Sequence, residues 1–189
     1  MFYALETITE IDLSQFDFSE VTDMTSMFQN CSSLNTIKSN GGNMNKVRSM
    51  KNLFLGCINL ISLDLSKIKA NNVENMIKMF ENCISLRSVN LENFNAVKVT
   101  SMTRMFYNCI SLISLNMKNF KTFNLKNMTH MFWSNKAIKF LNLSSFDTSQ
   151  VTLMNYVFCG CVQLKEIDLS SWNTANVTNM LHLFQKLQR

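Results

Sequence analysis

Cysteine and histidine are the residue types in this chain best suited to chemistry, and both recur at regular intervals. Five of the six cysteines are separated by multiples of one constant interval: Cys31, Cys57, Cys83, Cys109 and Cys161. A zinc site needs several such ligands within bonding distance, and two closely spaced pairs are its usual signal in a sequence. This column supplies one thiol per repeat, and the close pair Cys159 and Cys161 has no second pair to complete it. The spacing therefore predicts no metal site.

The same cysteines raise the question of a disulfide ladder. A disulfide requires Cα atoms about 4.4–6.8 Å apart and Cβ atoms that point toward each other. Cysteines on successive short helices would be about 8–10 Å apart, and they would all point in the same direction. We therefore expect six reduced cysteines, of which the five in the column are buried as small apolar groups and Cys159 is exposed.

The two histidines and the four glycines give no sign of catalysis or of cofactor binding. His130 and His182 lie two repeats apart, off the apolar face of the repeat, and are predicted at the surface. No Ser/His/Asp or Cys/His group converges in the pattern, and no glycine-rich phosphate-binding loop is present. We expect a protein that is not an enzyme and that has no cofactor.

The sequence repeats every twenty-six residues along the whole chain, so the structural elements that position these side chains must follow the same repeat. Phenylalanine and methionine keep this period without insertion or deletion: Phe28, Phe54, Phe80, Phe106, Phe132, Phe158 and Phe184, and Met24, Met50, Met76, Met102, Met128, Met154 and Met180. A unit this small cannot bury its own core and depends on its neighbours. The chain is therefore predicted to form one domain, residues 1–189, of about seven repeats.

Each repeat contains a strand signal followed by a helix signal. The first follows an LxxLxL pattern, as at Ile8, Ile11 and Leu13, and its alternation predicts a short strand that joins a parallel sheet. The second places Met24, Met27, Phe28 and Cys31 at the spacing of an amphipathic helix, with a threonine before it in four repeats. We predict an α/β repeat solenoid, leucine-rich-repeat-like, in which each parallel β-strand is followed by a turn and a short helix.

Two further apolar columns lie between strand and helix. One contains Phe16, Ile68, Phe94, Phe120, Phe146 and Trp172, and the other contains Val21, Val47, Val73, Val99, Leu125, Val151 and Val177. Both columns are predicted to be buried. The second repeat has Gly42 in the aromatic column and Ser39 in a leucine column, so we expect a gap or a bend there.

Charge and hydropathy limit the partners. The net charge is +5, and the 18 Lys and Arg are spread along the repeats instead of gathered on one face, which argues against nucleic acid. No apolar run is long enough to cross a bilayer, and the amino terminus does not have the pattern of a signal peptide. Because neither end carries a polar cap, we expect a segment of a longer array or a truncated reading frame.

The repeat, written LxxLDLSxFDTSxVTxMxxMFxNCxSL, resembles that of the BspA-like leucine-rich-repeat surface proteins. The best match is FLNLSSFDTSQVTLMNYVFCGCVQL, from Phe140 to Leu164, and the resemblance covers essentially the whole chain. It implies a solenoid that is secreted or held at a cell surface and that attaches to proteins or host cells. Two departures are the aromatic residue after the strand, as at Phe94, and the missing export signal and anchor.

The resemblance and the repeat architecture together suggest a binding surface. Parallel strands packed more closely than the helices would form a concave sheet. Five exposed strand positions are candidate contacts with a protein ligand such as a host or extracellular matrix protein: Ile61, Arg87, Ile113, Lys139 and Phe140. A polar column that contains Asp12 and Asp64 is interrupted by Lys38 and is read as an outer ladder, not as a calcium site. A structural spacer or stalk, and an intracellular scaffold, remain as alternatives.

Overall fold

The computed structural model describes residues 2–187, which form a solenoid of parallel rungs with the period seen in the sequence. The strands within these residues are β1 (Glu10–Asp12), β2 (Thr36–Lys38), β3 (Gly42–Asn43), β4 (Ser62–Asp64), β5 (Ile68–Lys69), β6 (Ser88–Asn90), β7 (Ser114–Asn116), β8 (Phe140–Asn142) and β9 (Glu166–Asp168). They pair in parallel as β1–β2, β3–β5, β4–β6–β7 and β8–β9. The predicted solenoid of short parallel strands is confirmed.

The predicted helix is wrong, because no helix occurs within residues 2–187. The octet that begins at each periodic methionine is a chain of tight turns, with hydrogen bonds such as Met27 N–H to Met24 C=O (3.2 Å) and Cys31 N–H to Phe28 C=O (3.2 Å). Its third residue has φ of 56–60° and its seventh has φ of 58–77°, as at Ser26, Asn30 and Gly56. A right-handed helix cannot contain these left-handed residues.

Backbone hydrogen bonds between rungs replace the bonds that a helix would make. Alternate octet residues donate to the next rung: Met24 N–H to Ser49 C=O at 3.0 Å, Ser26 N–H to Lys51 C=O at 2.9 Å, and Phe28 N–H to Leu53 C=O at 2.9 Å. A continuous series of parallel bridges, Asp23–Ser49–Asn75–Ser101–Asn127–Leu153–Asn179, runs directly before the octets. The octets therefore form a second wall that is bonded along the solenoid axis like a sheet.

The periodic phenylalanines stack through the centre of this wall. Ring centroids of successive members from Phe2 to Phe184 are 5.1–5.8 Å apart, and the ring planes differ by 3–13°. The rungs are therefore much closer than the roughly 8–10 Å that packed helices would require, so the spacing used above to argue against disulfides is wrong. Within residues 2–187 the cysteines are all free.

Each thiol of the cysteine column makes a specific contact with the rung before it. Cys57 Sγ donates to Phe28 C=O at 3.0 Å, and Cys83 Sγ donates to Phe54 C=O at 3.1 Å. At the position where the column has asparagine, Asn135 Nδ2 donates to Phe106 C=O at 2.7 Å. Burial raises the pKa of Cys57 to about 12. Cys159, predicted to be exposed, is also buried, because it lies under the octet face beside Gln185.

The loop columns are buried in the middle of the solenoid but not at its ends. Phe94, Phe120 and Phe146 are inaccessible to solvent or nearly so. Phe16 is 41% exposed, and Phe18 takes its place in the core of the first rung, so the prediction for Phe16 is wrong. Trp172, Val21 and Val177 are only partly buried because fewer rungs cover them.

Candidate partner-binding surface

The five candidate contact residues all lie on the strand side, and all are exposed. Backbone bonds place three of them on adjacent rungs: Arg87 N–H donates to Ile61 C=O at 2.8 Å, and Ile113 N–H donates to Arg87 C=O at 3.0 Å. Lys139 accepts from Lys165 N–H at 2.9 Å on the other side of a break in the sheet. The five residues therefore lie on both sides of this break, and their role in binding stays a prediction.

The break lies between β7 and β8. Strands β4, β6 and β7 form one sheet and β8 and β9 form another, with no pairing between the two in residues 2–187. The octet wall of the same two rungs stays closed, since Asn127 and Leu153 form a bridge and the ring centroids of Phe132 and Phe158 are 5.8 Å apart. The solenoid therefore opens on its strand side only.

The chain that leads into β8 differs from that of the neighbouring rungs. In five rungs a tight turn returns the chain from the octet to the strand, closed for example by Leu112 N–H to Cys109 C=O at 3.0 Å and Leu164 N–H to Cys161 C=O at 3.0 Å. The corresponding bond from Ile138 to Asn135 is not formed in the described chain. Asn135 and Lys136 stand where the preceding rung has cysteine and isoleucine, and the tight turn is absent at this position.

The opening forms a cleft of about 430 Å³. Ile113 and Phe140 line it with 61% and 59% of their surface exposed. Glu166 and Asp168 line the same cleft, and neither is in an ion pair with another of the described residues. Hydrogen bonds from the Ser170 hydroxyl and N–H lower the pKa of Asp168, so it is ionised at neutral pH. The cleft thus combines an apolar floor with a free negative charge.

A second cleft of about 590 Å³ lies over the first rungs and contains Ile61 and Arg87 with Thr9, Asn35 and Ser85. Lys139 lines neither cleft, although it precedes Phe140 in the chain. The structure therefore brings Ile113 together with Phe140, and Ile61 together with Arg87, and it does not unite all five residues.

The octet face carries an interacting group of side chains that sequence reasoning missed. Arg104 Nη2 is 3.0 Å from Glu81 Oε1, and the Arg104 guanidinium lies 3.9 Å above the centre of the Tyr107 ring. Tyr107 stacks on Trp133 at 4.5 Å, and His130 stacks on Tyr156 at 4.7 Å. Each stacked pair is separated by one full repeat, which was a visible signal for this stacking.

These contacts and the burial of the group shift the pKa values of Glu81 and His130. Burial raises the pKa of Glu81 in spite of its two cationic neighbours, Arg104 and Lys78. Burial and the charge of Arg104 lower the pKa of His130. His130 is half-buried in its stack, in contrast to the predicted surface position.

Two further features of the described residues bear on chemistry. Residues 2–187 contain no group of three or more His, Cys, Asp or Glu placed to hold a metal ion. They also contain no helix that is long and apolar enough to span a membrane. The acidic column instead closes turns, as where Asp64 Oδ1 accepts from Ser66 N–H at 2.9 Å.

The sequence matches a family model described as Mycoplasma protein of unknown function, DUF285, at residues 1–114, 37–139 and 111–189. These matches together span the chain. The chain belongs to the DUF285 family. No curated protein matches this DUF285 sequence.

Two solved leucine-rich-repeat structures are similar to the DUF285 chain. A leucine-rich-repeat protein of T. pallidum is 21% identical with a TM-score of 0.57, and the match covers 84% of this chain and 68% of that one. A leucine-rich-repeat protein of Bacteroides ovatus is 18% identical with a TM-score of 0.54, and the match covers 89% of this chain and 45% of that one. The DUF285 chain thus spans about two thirds of the length of the T. pallidum protein and under half of the length of the Bacteroides ovatus protein. They establish a leucine-rich-repeat-like fold for it.

Proposed function

We propose that this DUF285 chain is a non-catalytic, BspA-like binding module that holds a protein partner in the cleft between β7 and β8. The observation that carries the proposal is the exposure of Ile113 and Phe140 at the one break between the strands of the later rungs in residues 2–187. An aromatic side chain in a concave, partly desolvated site is a common centre of binding energy in protein interfaces.

The chemistry of the cleft defines the partner. Ile113 and Phe140 would receive an apolar side chain, while Glu166 and Asp168 would pair with a lysine or arginine beside it. We therefore propose a protein segment in which an apolar residue is flanked by a basic one. Because charge pairs mainly increase the association rate, binding should weaken and slow as salt is raised.

We further propose a location at the cell surface or outside the cell, with a host or extracellular matrix protein as the partner. The support for this location is the resemblance of the repeat to the BspA-like surface proteins. A spacer or stalk in a longer surface protein, or an intracellular scaffold, would replace the proposal if no partner binds the cleft.

The experiment measures binding of purified cell-surface and matrix proteins to the wild-type chain and to two variants. Phe140→Ser should weaken binding by at least about 1 kcal/mol and should change the free energy of unfolding by less than about 1 kcal/mol. Phe123→Ser is the matched control, because Phe123 is also exposed but lies outside the cleft. It should leave binding unchanged.

Two results would overturn the proposal. If a partner binds equally well to Phe140→Ser and to the wild type, then the cleft is not the site. If Phe140→Ser unfolds the protein, then this side chain belongs to the core. Arg104→Ser and His130→Ser are unsuitable controls, because both side chains take part in the stacked octet face.

A further inference from the structure

The second rung lacks two large apolar side chains that the next rungs have. Ser39 stands in the column of Leu13 and Leu65, and Gly42 stands in the column of Ile68. Part of the backbone pairing is kept at this rung, because β2 pairs with β1 and β3 pairs with β5, although β2 does not pair with β4. The neighbouring rungs therefore remain linked on both sides of the two missing side chains.

The missing volume remains as a cavity of about 120 Å³. Its walls are almost entirely apolar and include Phe28, Phe54, Met50, Met79, Leu63 and Ile68. Ser39 and Asp64 are the polar members of the lining. Gly42 is exposed to solvent and does not line this cavity.

The size and lining of the cavity resemble those of cavities that are known to bind small apolar molecules. An engineered cavity of about 150 Å³ lined by leucine, isoleucine and phenylalanine stays dry and binds benzene or xenon. Water in the present cavity would find few polar partners, since a buried water needs about three hydrogen bonds. An apolar guest would instead regain the dispersion contacts that the lining side chains lack.

Asp64 determines which apolar guests can enter. Its carboxylate accepts from Ser66 N–H at 2.9 Å, and the hydrogen bonds from Ser66 lower its pKa, so it is charged at neutral pH. Ser39, also at the cavity lining, is exposed to solvent and marks the entrance. A guest with a carboxylate would meet a like charge there, which disfavours fatty acids and aromatic acids.

We propose that this cavity, which lies where Ser39 replaces the leucine of its column, is a binding site for a neutral apolar molecule the size of one benzene ring. The site lies in the second rung and is independent of the cleft between β7 and β8. Its guest is therefore separate from the protein partner proposed above.

Benzene is the probe, and the methyl resonances of the methionines report its position. Met44 and Met50 line the cavity, whereas Met128 and Met154 lie in distant rungs. Benzene should shift the first pair in a saturable way and leave the second pair unchanged. It should also raise the melting temperature, because a ligand that binds the folded state alone stabilises it. Benzoate should bind at least tenfold more weakly than benzene.

Ser39→Leu restores the side chain of the column and should reduce benzene affinity at least tenfold. Ser62→Leu, an identical change at an exposed position outside the cavity, should leave the affinity unchanged. Leu65→Phe fills the same space from the adjacent rung and replaces Ser39→Leu if that variant does not fold. The proposal is overturned if benzene gives no saturable shift at Met44 and Met50, or if a folded, filled variant still binds it.

Discussion

At the scale of single residues, the position before each periodic cysteine contained a sequence signal for a left-handed turn, and this signal was overlooked. It is occupied by Asn30, Gly56, Asn82, Asn108 and Gly160, among others. Asparagine and glycine are the residues that most readily adopt positive φ, so this column was a signal for a left-handed turn. The apolar spacing of methionine and phenylalanine was read as helical because tight turns bury the same positions.

The structure shows that the cysteine column is defined by a hydrogen bond to the preceding rung. A thiol or an amide at this position can donate to the phenylalanine carbonyl of the preceding rung, as Cys109 does at 3.0 Å and Asn135 does at 2.7 Å. Asn135 was interpreted as an interruption of the column, but it preserves the contact. The tight turn that follows the cysteine in the neighbouring rungs is absent after Asn135.

We predict that all six thiols are reduced and protected in the folded protein. Burial raises the pKa of Cys57 and of Cys161 to about 12, so almost no thiolate is present at neutral pH. Intact mass after alkylation without reductant should show little labelling of the native protein and six labels after unfolding. Two missing labels in the unfolded sample would reveal a disulfide and contradict the prediction.

At the scale of elements, the strands could be predicted because their alternation is direct and most of them have an aspartate or asparagine at the end. These side chains close the next turn: Asp12 accepts from Ser14 N–H at 2.8 Å, and Asn142 accepts from Ser144 N–H at 3.0 Å. The break between β7 and β8 could not be predicted, since β8 itself has a normal strand sequence. Its displacement depends on how the turn at Asn135 packs in three dimensions.

The turns predict a specific dependence of stability on pH. Hydrogen bonds from serine lower the pKa of Asp12, Asp64 and Asp168 in the folded state. A lowered pKa stabilises the fold above the unfolded value of about 3.9, and this contribution is lost as pH falls through the folded value. Replacing all three by asparagine keeps the acceptor and removes the charge.

The triple variant should therefore be less stable than the wild type at neutral pH, because it lacks this contribution, and should lose less stability between about pH 4 and about pH 2. Urea unfolding at several pH values measures this difference. Equal losses in the two proteins would mean that these turns do not contribute to acid sensitivity. Asn90 and Asn116, which already have the amide in this column, form the same turns.

At the scale of the whole molecule, the rungs behave as one stack in which position decides the energetic value of a side chain. Phe106 is fully buried between two neighbouring rings, whereas Phe184 has one ring neighbour among the described residues and is 42% exposed. The unbroken period of the sequence predicted this continuity correctly. It could not predict how far the rungs at each end would be uncovered, because that depends on the neighbours and not on the repeat.

We predict that Phe106→Ala lowers the free energy of unfolding by about 3–5 kcal/mol, the range for a buried aromatic side chain. Phe184→Ala should lower it clearly less, because the ring already contacts solvent on one side. Chemical denaturation of both variants gives the comparison. Equal losses would contradict a continuous core with exposed ends.

Amide hydrogen exchange at the break between β7 and β8 tests the central claim most directly, since the proposed function depends on an open sheet there. Ser114 N–H is bonded to Arg87 C=O at 3.1 Å, whereas the equivalent bond across the break, from Phe140 N–H to Ile113 C=O, is not formed within residues 2–187. Phe140 should therefore exchange at least tenfold faster than Ser114, and Asn135→Cys combined with Lys136→Ile, which restores the turn, should protect Phe140. If Phe140 is as well protected as Ser114 in the wild type, then the sheet is closed and the proposed binding cleft does not exist.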